Sequence, residues 1–226
     1  MRQMVGTCGV ALALAWAMVL GGCNNDAAAP KAASAEQAAQ LAALQQLPAQ
    51  NNAKALAAAV QAVQNEDVVT ARAAVRAIGR MPQQDAPAAL AKVITEDRRP
   101  EIREEAALAL SSSQTEASVE TLREVIQQDA APKVRAAAAI GLGRTGSLRD
   151  VEFLLRAAEM EENPVVQYQT VGALEKILGI GFTFDPGLSP ERRKITMERI
   201  RIAATIRARA LRDQARTRPE TGARRG

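Results

Sequence analysis

Apolar positions recur along this chain in two interleaved rhythms. Within short stretches they fall three or four residues apart, the spacing of one helix face, and the stretches themselves return every 32 residues. Pro100, Pro132 and Pro164 mark the longer rhythm. In register behind them, Ile102 aligns with Val134 and Val166, Arg103 with Arg135, Leu110 with Leu142 and Leu174, Val119 with Val151, and Leu122 with Leu154. One period earlier, Ile78, Gly79, Leu90, Val93 and Ile94 occupy the columns of Leu110, Ser111, Leu122, Val125 and Ile126, with Val68 where the proline would stand. Several columns repeating in phase identify a stack of one unit.

The unit reads as a helical hairpin. Pro132 suits the first turn of a helix, where its missing N–H costs nothing, and an alanine-rich run follows to Leu142. Gly143-Arg144-Thr145-Gly146 is expected to break that helix, and Val151, Leu154 and Leu155 recur at helical spacing in the next. A pair of short helices cannot bury its own apolar stripe, so each pair leans on its neighbour. The predicted fold is all-α, a right-handed α-α superhelix with one helix of each pair on the inner curve and a C-terminal capping helix.

The flanks differ. Ser34 with Gln37 makes a capping box, and Leu41, Leu44 and Leu47 share a helix face expected to stop before Pro48. With a second helix from Ala53 to Val63, these form an N-terminal cap. After Gly179 the repeat fails at Phe182, Phe184, Asp185 and Pro186; Ser189 as N-cap and Pro190 then open a helix to about Leu211. Ile195, Ile202 and Ile206 lie on one face of it and Ile200, Ala204 and Leu211 nearly opposite, which predicts two neighbours. The expected organisation is a signal peptide at 1–22, a tether at 23–33, a helical cap at 34–65, repeats at 66–180, an insert and capping helix at 181–212, and a disordered basic tail at 213–226.

The strings Pro100-Glu101-Ile102-Arg103 through Ala106-Ala107-Leu108-Ala109-Leu110, and Pro132-Lys133-Val134-Arg135 through Ile140-Gly141-Leu142-Gly143-Arg144-Thr145-Gly146, resemble HEAT repeats of the short bacterial kind also found in phycobilisome lyase subunits. The likeness implies a HEAT-like solenoid. Asp97, Asp129 and Glu161 fall three residues before each proline, facing the free amides that open the next helix. By the same resemblance, Arg103 and Arg135 form a ladder with neighbouring units.

The N-terminus speaks to location. Arg2 supplies the positive end of a secretory signal and residues 10–20 its apolar core, too short for a durable membrane span. Leu20-Gly21-Gly22-Cys23 resembles a bacterial lipobox, whose cysteine is acylated and becomes the first mature residue. Each buried methylene contributes about 0.8 kcal/mol, so several acyl chains hold a protein on a bilayer. Asn24 stands where inner-membrane lipoproteins often carry aspartate, and the resemblance therefore favours the outer membrane, periplasmic side.

Composition removes most chemistry. There is no histidine, and Cys8 leaves with the signal, so the mature chain keeps Cys23 alone. Serine triads, cysteine–histidine dyads and zinc, copper or haem sites lose their side chains. Gly141-Leu142-Gly143-Arg144-Thr145-Gly146 spells the dinucleotide fingerprint, yet these glycines end a helix, with no strand before them. No catalytic residue, metal or cofactor is expected.

Charge is uneven. From Glu191 onward there are twelve Arg or Lys against four acids, a net of +8, which leaves −4 on the rest of a chain whose total is +4. Lys194, Arg201 and Arg212 fall within about 20° on the helical wheel, an expected exposed stripe for anionic lipid or lipopolysaccharide; nucleic acid is not an expected partner. Lys92, Glu120, Arg123, Glu124, Gln127, Glu152, Arg156 and Glu159, on the second helices, are the candidate partner-binding residues. The expected function is a lipid-anchored periplasmic scaffold that binds protein and catalyses nothing. Two other readings are a lyase-like or chaperone-like helper in cofactor attachment, implied by the lyase resemblance, and an adaptor holding an anionic envelope surface through the basic C-terminus.

Overall fold

The computed structural model describes residues 35–50, 52–82 and 84–217, and every regular element among them is an α-helix. The order is α1 (Ala35–Gln50), α2 (Ala53–Val63), α3 (Val68–Gly79), α4 (Ala86–Glu96), α5 (Pro100–Leu110), α6 (Glu116–Gln128), α7 (Pro132–Thr145), α8 (Val151–Met160), α9 (Pro164–Leu178) and α10 (Pro190–Thr217). The signal peptide, Cys23, the tether, Ser34 and residues 218–226 lie outside the described residues.

Local chemistry places the helix starts. Pro100, Pro132 and Pro164 are each the first residue of a helix, where no N–H is needed. Elsewhere a side-chain oxygen takes an otherwise free amide: Asn52 Oδ1 from Ala55 N at 2.8 Å, Asp67 Oδ2 from Thr70 N at 2.8 Å, and Thr115 Oγ1 from Ser118 N at 3.2 Å. Gly179, at φ +63°, ends α9 in the left-handed region that favours glycine.

The helices stack as a solenoid of two rows. In the first row α1, α3, α5, α7 and α9 each pack along the next; the second helices pack chiefly on the first helix of the following unit, α2 on α3, α4 on α5, α6 on α7 and α8 on α9, and much less on one another. The predicted register holds. Leu110, Leu142 and Leu174 are fully buried, as are Ile102 and Val134, with Leu122 and Leu154 sealing the second row. Each such side chain contributes about 1.5–3 kcal/mol through burial. The pair α1 and α2 continues the same arrangement, α1 lying on α3 as α3 lies on α5, so the expected N-terminal cap is the first hairpin of the stack.

Three expectations need correction. Gly143 does not break α7, which runs on to Thr145, so the helix ends only at the last residue of the Gly143-Arg144-Thr145-Gly146 string; Gly146 caps it, its amide donating to Leu142 O at 2.7 Å. The glycines inside helices serve close approach. A Cβ on Gly143 would lie 2.8 Å from Ala173 Cα, one on Gly141 3.3 Å from Ala107 O, and one on Gly79 2.8 Å from Ala109 Cβ. Helix α1 does not stop before Pro48 but carries it inside its last turn, where the ring removes the N–H that would donate four residues back. Helix α10 continues past Leu211 to Thr217, so residues 213–217 are helix rather than disordered tail.

Of the two apolar faces of α10, one is covered. Met197, Ile200, Ala204 and Ala208 are buried against α8 and α9, and Phe184 of the insert is buried in the same core. Ile195, Ile202 and Ile206 remain exposed.

Candidate interaction surface

Acids and arginines at the turns bind one unit to the next. Asp97, Asp129 and Glu161 end α4, α6 and α8, and each accepts the amide two residues on: Arg99 N at 2.8 Å, Ala131 N at 2.9 Å and Asn163 N at 2.9 Å. Arg103 donates Nε and Nη2 to Asp129, both at 2.8 Å, and Nη1 back to Asp97 O at 3.0 Å. Arg135 repeats this with Glu161, 2.8 Å on both nitrogens, and Asp129 O at 2.9 Å. Each arginine thus spans two successive turns, as the ladder reading expected. Burial alone would raise the Asp129 and Glu161 carboxyls, but the guanidinium and amide donors overcome it and hold both below the usual range.

Two further buried acids, each paired with arginine, escaped the sequence pattern. Glu105 of α5 is buried and accepts Arg72 Nε at 2.9 Å and Arg76 Nε at 2.6 Å from α3. Its signal was a glutamate in a column that holds Ala73 and Ala137 in the units on either side, one unit after two arginines. Asp150, almost fully buried, accepts Arg123 Nε at 2.8 Å and Ser147 N at 2.6 Å, tying α6 to the start of α8.

The candidate partner-binding residues divide accordingly. Glu124 and Gln127 on α6 are exposed, and neither side chain pairs with another group among the described residues. Lys92 is exposed, 3.8 Å from Glu96. Glu120 binds Arg123 at 2.6 Å, and Arg123 is drawn inward to Asp150. Glu152, Arg156 and Glu159 lie where α10 crosses α8: Arg201 donates to Glu159 at 2.5 and 2.7 Å and to Glu152 at 3.2 Å, while Arg156 stands 3.4 Å from Glu152. These contacts, the Glu159 hydrogen bond foremost, raise the Arg201 pKa.

The expected cationic stripe therefore does not stand free along its length. Arg201 is turned into α8, and Arg212 Nη2 donates to Leu148 O at 3.0 Å. Lys194 and Arg212 are both exposed with no ion pair among the described residues. Salt bridges to α8 thus take up the charge of Arg201 alone, which interrupts the stripe between Lys194 and Arg212.

Because the second helices stand apart, clefts open between them. One of ≈ 1110 Å³ lies between α2 and α4, with Gln61, Gln64, Lys92 and Arg98 in its walls. Another of ≈ 550 Å³ lies between α6 and α8, lined by Gln127, Arg156 and the exposed Met160. Both offer mixed polar and apolar walls without a deep enclosed chamber. Among the described residues no group of three or more acidic, cysteine or histidine side chains could hold a metal ion, and no helix is long and apolar enough to cross a membrane.

A stack of helical hairpins in phase, joined by an arginine–acid ladder at the turns, defines an α-solenoid. The family model described as HEAT repeats matches residues 25–111 and again 89–175, and this chain belongs to that family. The match begins well before residue 66, in keeping with α1 and α2 forming the first hairpin. No curated protein matches the chain.

Proposed function

We propose that this protein is a scaffold of the cell envelope, anchored through an acylated Cys23 on the periplasmic side of the outer membrane. Its second-helix row binds a protein partner, and it performs no catalysis. The observation that carries the reading is the contrast in that row: Lys92, Glu124 and Gln127 are exposed beside open clefts, while the repeated turn charges are consumed in stacking. Solenoids use such extended surfaces for binding. A histidine-free chain also lacks the usual base or ligand for the commonest hydrolytic and metal chemistries.

A photocrosslinking residue placed at Glu124 or Gln127 tests the binding row in intact envelopes. One discrete partner is expected from both positions and none from Lys176, which is exposed on α9. Equal crosslinking at all three sites, or none, would remove the reading. For the anchor, Cys23→Ser is expected to shift the protein out of the membrane fraction or leave it unprocessed. An unmodified mature N-terminus beyond Cys23, seen by mass spectrometry, would refute acylation.

A further inference from the structure

The arginine ladder stops at Gln167. In its two complete steps an arginine holds a carboxylate 26 residues further on, Arg103 with Asp129 and Arg135 with Glu161. The next member of the arginine column is Gln167 on α9, and the residue 26 beyond it is Arg193 on α10. Both line one cleft of ≈ 820 Å³, where the first turns of α10 pass the α8–α9 turn. Gln167 is 5% exposed; its Nε2 donates to Ala158 O at 2.8 Å, while Oε1 has no partner. Arg193 gives Nη1 to Leu188 O at 2.8 Å, and its buried Nε has no partner.

A buried donor or acceptor left alone costs about 1–3 kcal/mol, and native folds keep few of them. Here an acceptor and a donor, each shut off from solvent, belong to two residues that line one cleft at the point where the repeated pairing ends. What they lack is an N–H for Gln167 Oε1 and a carbonyl or carboxylate oxygen for Arg193 Nε. A peptide group supplies both. The surrounding charge narrows the choice: four carboxylates face two cations in the lining. Glu159 and Glu161 are engaged by Arg201 and Arg135. Glu162 and Glu198 are exposed and have no cation among the described residues. Met197, buried, and Pro190 add apolar wall.

The geometry points to this cleft as a docking site for an extended basic peptide segment, its backbone amide meeting Gln167 and Arg193 and a lysine or arginine side chain meeting Glu162 and Glu198. Arg193, held by a single side-chain bond, turns Nε toward the entering carbonyl. An inorganic anion is disfavoured by the acidic majority. The inference rests on the scaffold reading and names the chemistry of its partner.

The test is NMR of the isotope-labelled full chain in detergent, titrated at low salt with Ac-Lys-Ala-Lys-NH2, with Ac-Glu-Ala-Glu-NH2 and with inorganic phosphate. The basic peptide is expected to shift the Gln167 side-chain amide and the Arg193 Nε–H saturably, and the acidic peptide to leave both in place. Glu198→Gln, at an exposed position, should weaken the basic peptide about tenfold, the loss of one hydrogen bond to a charged group. Gln167→Met should weaken it similarly while the helical spectrum is retained. Unmoved resonances, equal shifts from phosphate, or unchanged affinity in both variants would overturn the site and leave an internal water as the missing partner. Peptide binding lost while crosslinking at Glu124 persists would sink this inference and spare the scaffold.

Discussion

The two rows of helices meet their neighbours with different side chains. Along α3, α5, α7 and α9 the closest approaches are between alanine and glycine, so close that a Cβ on Gly79 or Gly143 would collide with Ala109 or Ala173. Along α4, α6 and α8 the inward residues are leucine, valine and isoleucine, and the outward ones are long and charged. Small residues let the first row close up, and the second row is left with clefts between its members. Packing is therefore specified mainly in one row and surface mainly in the other. A substitution should cost stability in the first row and binding in the second.

The largest expected effect is Leu142→Asp. It places an unpaired carboxylate at a fully buried position and is expected to cost several kcal/mol, read as a lowered denaturant midpoint. Unchanged stability would break the register itself. Arg103→Ala leaves Asp129 at the turn without its guanidinium and is expected to cost about 3 kcal/mol, the behaviour of a buried pair cut on one side. Gly143→Ala forces backbone against Ala173 and is expected to cost about 1–3 kcal/mol, whereas alanine at a free helix position would stabilise. A stabilised Gly143→Ala variant would show that the rows are not separated by closeness of approach.

Acid sharpens the comparison. The carboxyls of Asp97, Asp129, Glu105 and Glu161 all lie below their ordinary values, 3.8 for aspartate and 4.5 for glutamate, because arginine and amide donors outweigh burial. Groups depressed in the folded state add stability that is complete above the unfolded values and is lost as pH falls through the folded ones. The melting temperature is therefore expected to be flat from pH 8 to 5, where no histidine titrates, and to drop below about pH 4.5. In Arg103→Ala the acid slope should be shallower. Smallest of all, Glu124→Lys is expected to change stability by no more than about 0.5 kcal/mol, because the side chain is exposed and unpaired among the described residues. The same variant should abolish crosslinking of the partner at Gln127.

Much of the fold was legible because it repeats. Pro100, Pro132 and Pro164, the leucine column and the turn acids each return in the same place, and a stack built of one unit must present its contacts at that period. What did not repeat was harder to read. The glycines of α7 looked like a helix end because glycine is costly inside a helix; their reason is the neighbouring helix, which local spacing does not show. Glu105 pairs with arginines one unit away, and Arg201 with acids on α8, so both depend on contacts far along the chain. The helical wheel for α10 recorded which residues share a face but not which face the stack would cover.

Gln167 also bears on how long an array of this kind can be. Every block from a proline to the residue before the next one carries its own arginine and its own turn acid, Arg103 with Asp129 and Arg135 with Glu161. Duplicating residues 132–163 in tandem would therefore hand each copy a complete pair, and the lengthened chain should fold with one more hairpin in register. Duplicating a block that starts at Pro164 would not, since a glutamine has no positive charge to offer the following turn. A single uncharged side chain thus acts as a stop sign for growth by gene duplication: such a lineage can lengthen in its middle and holds its end fixed.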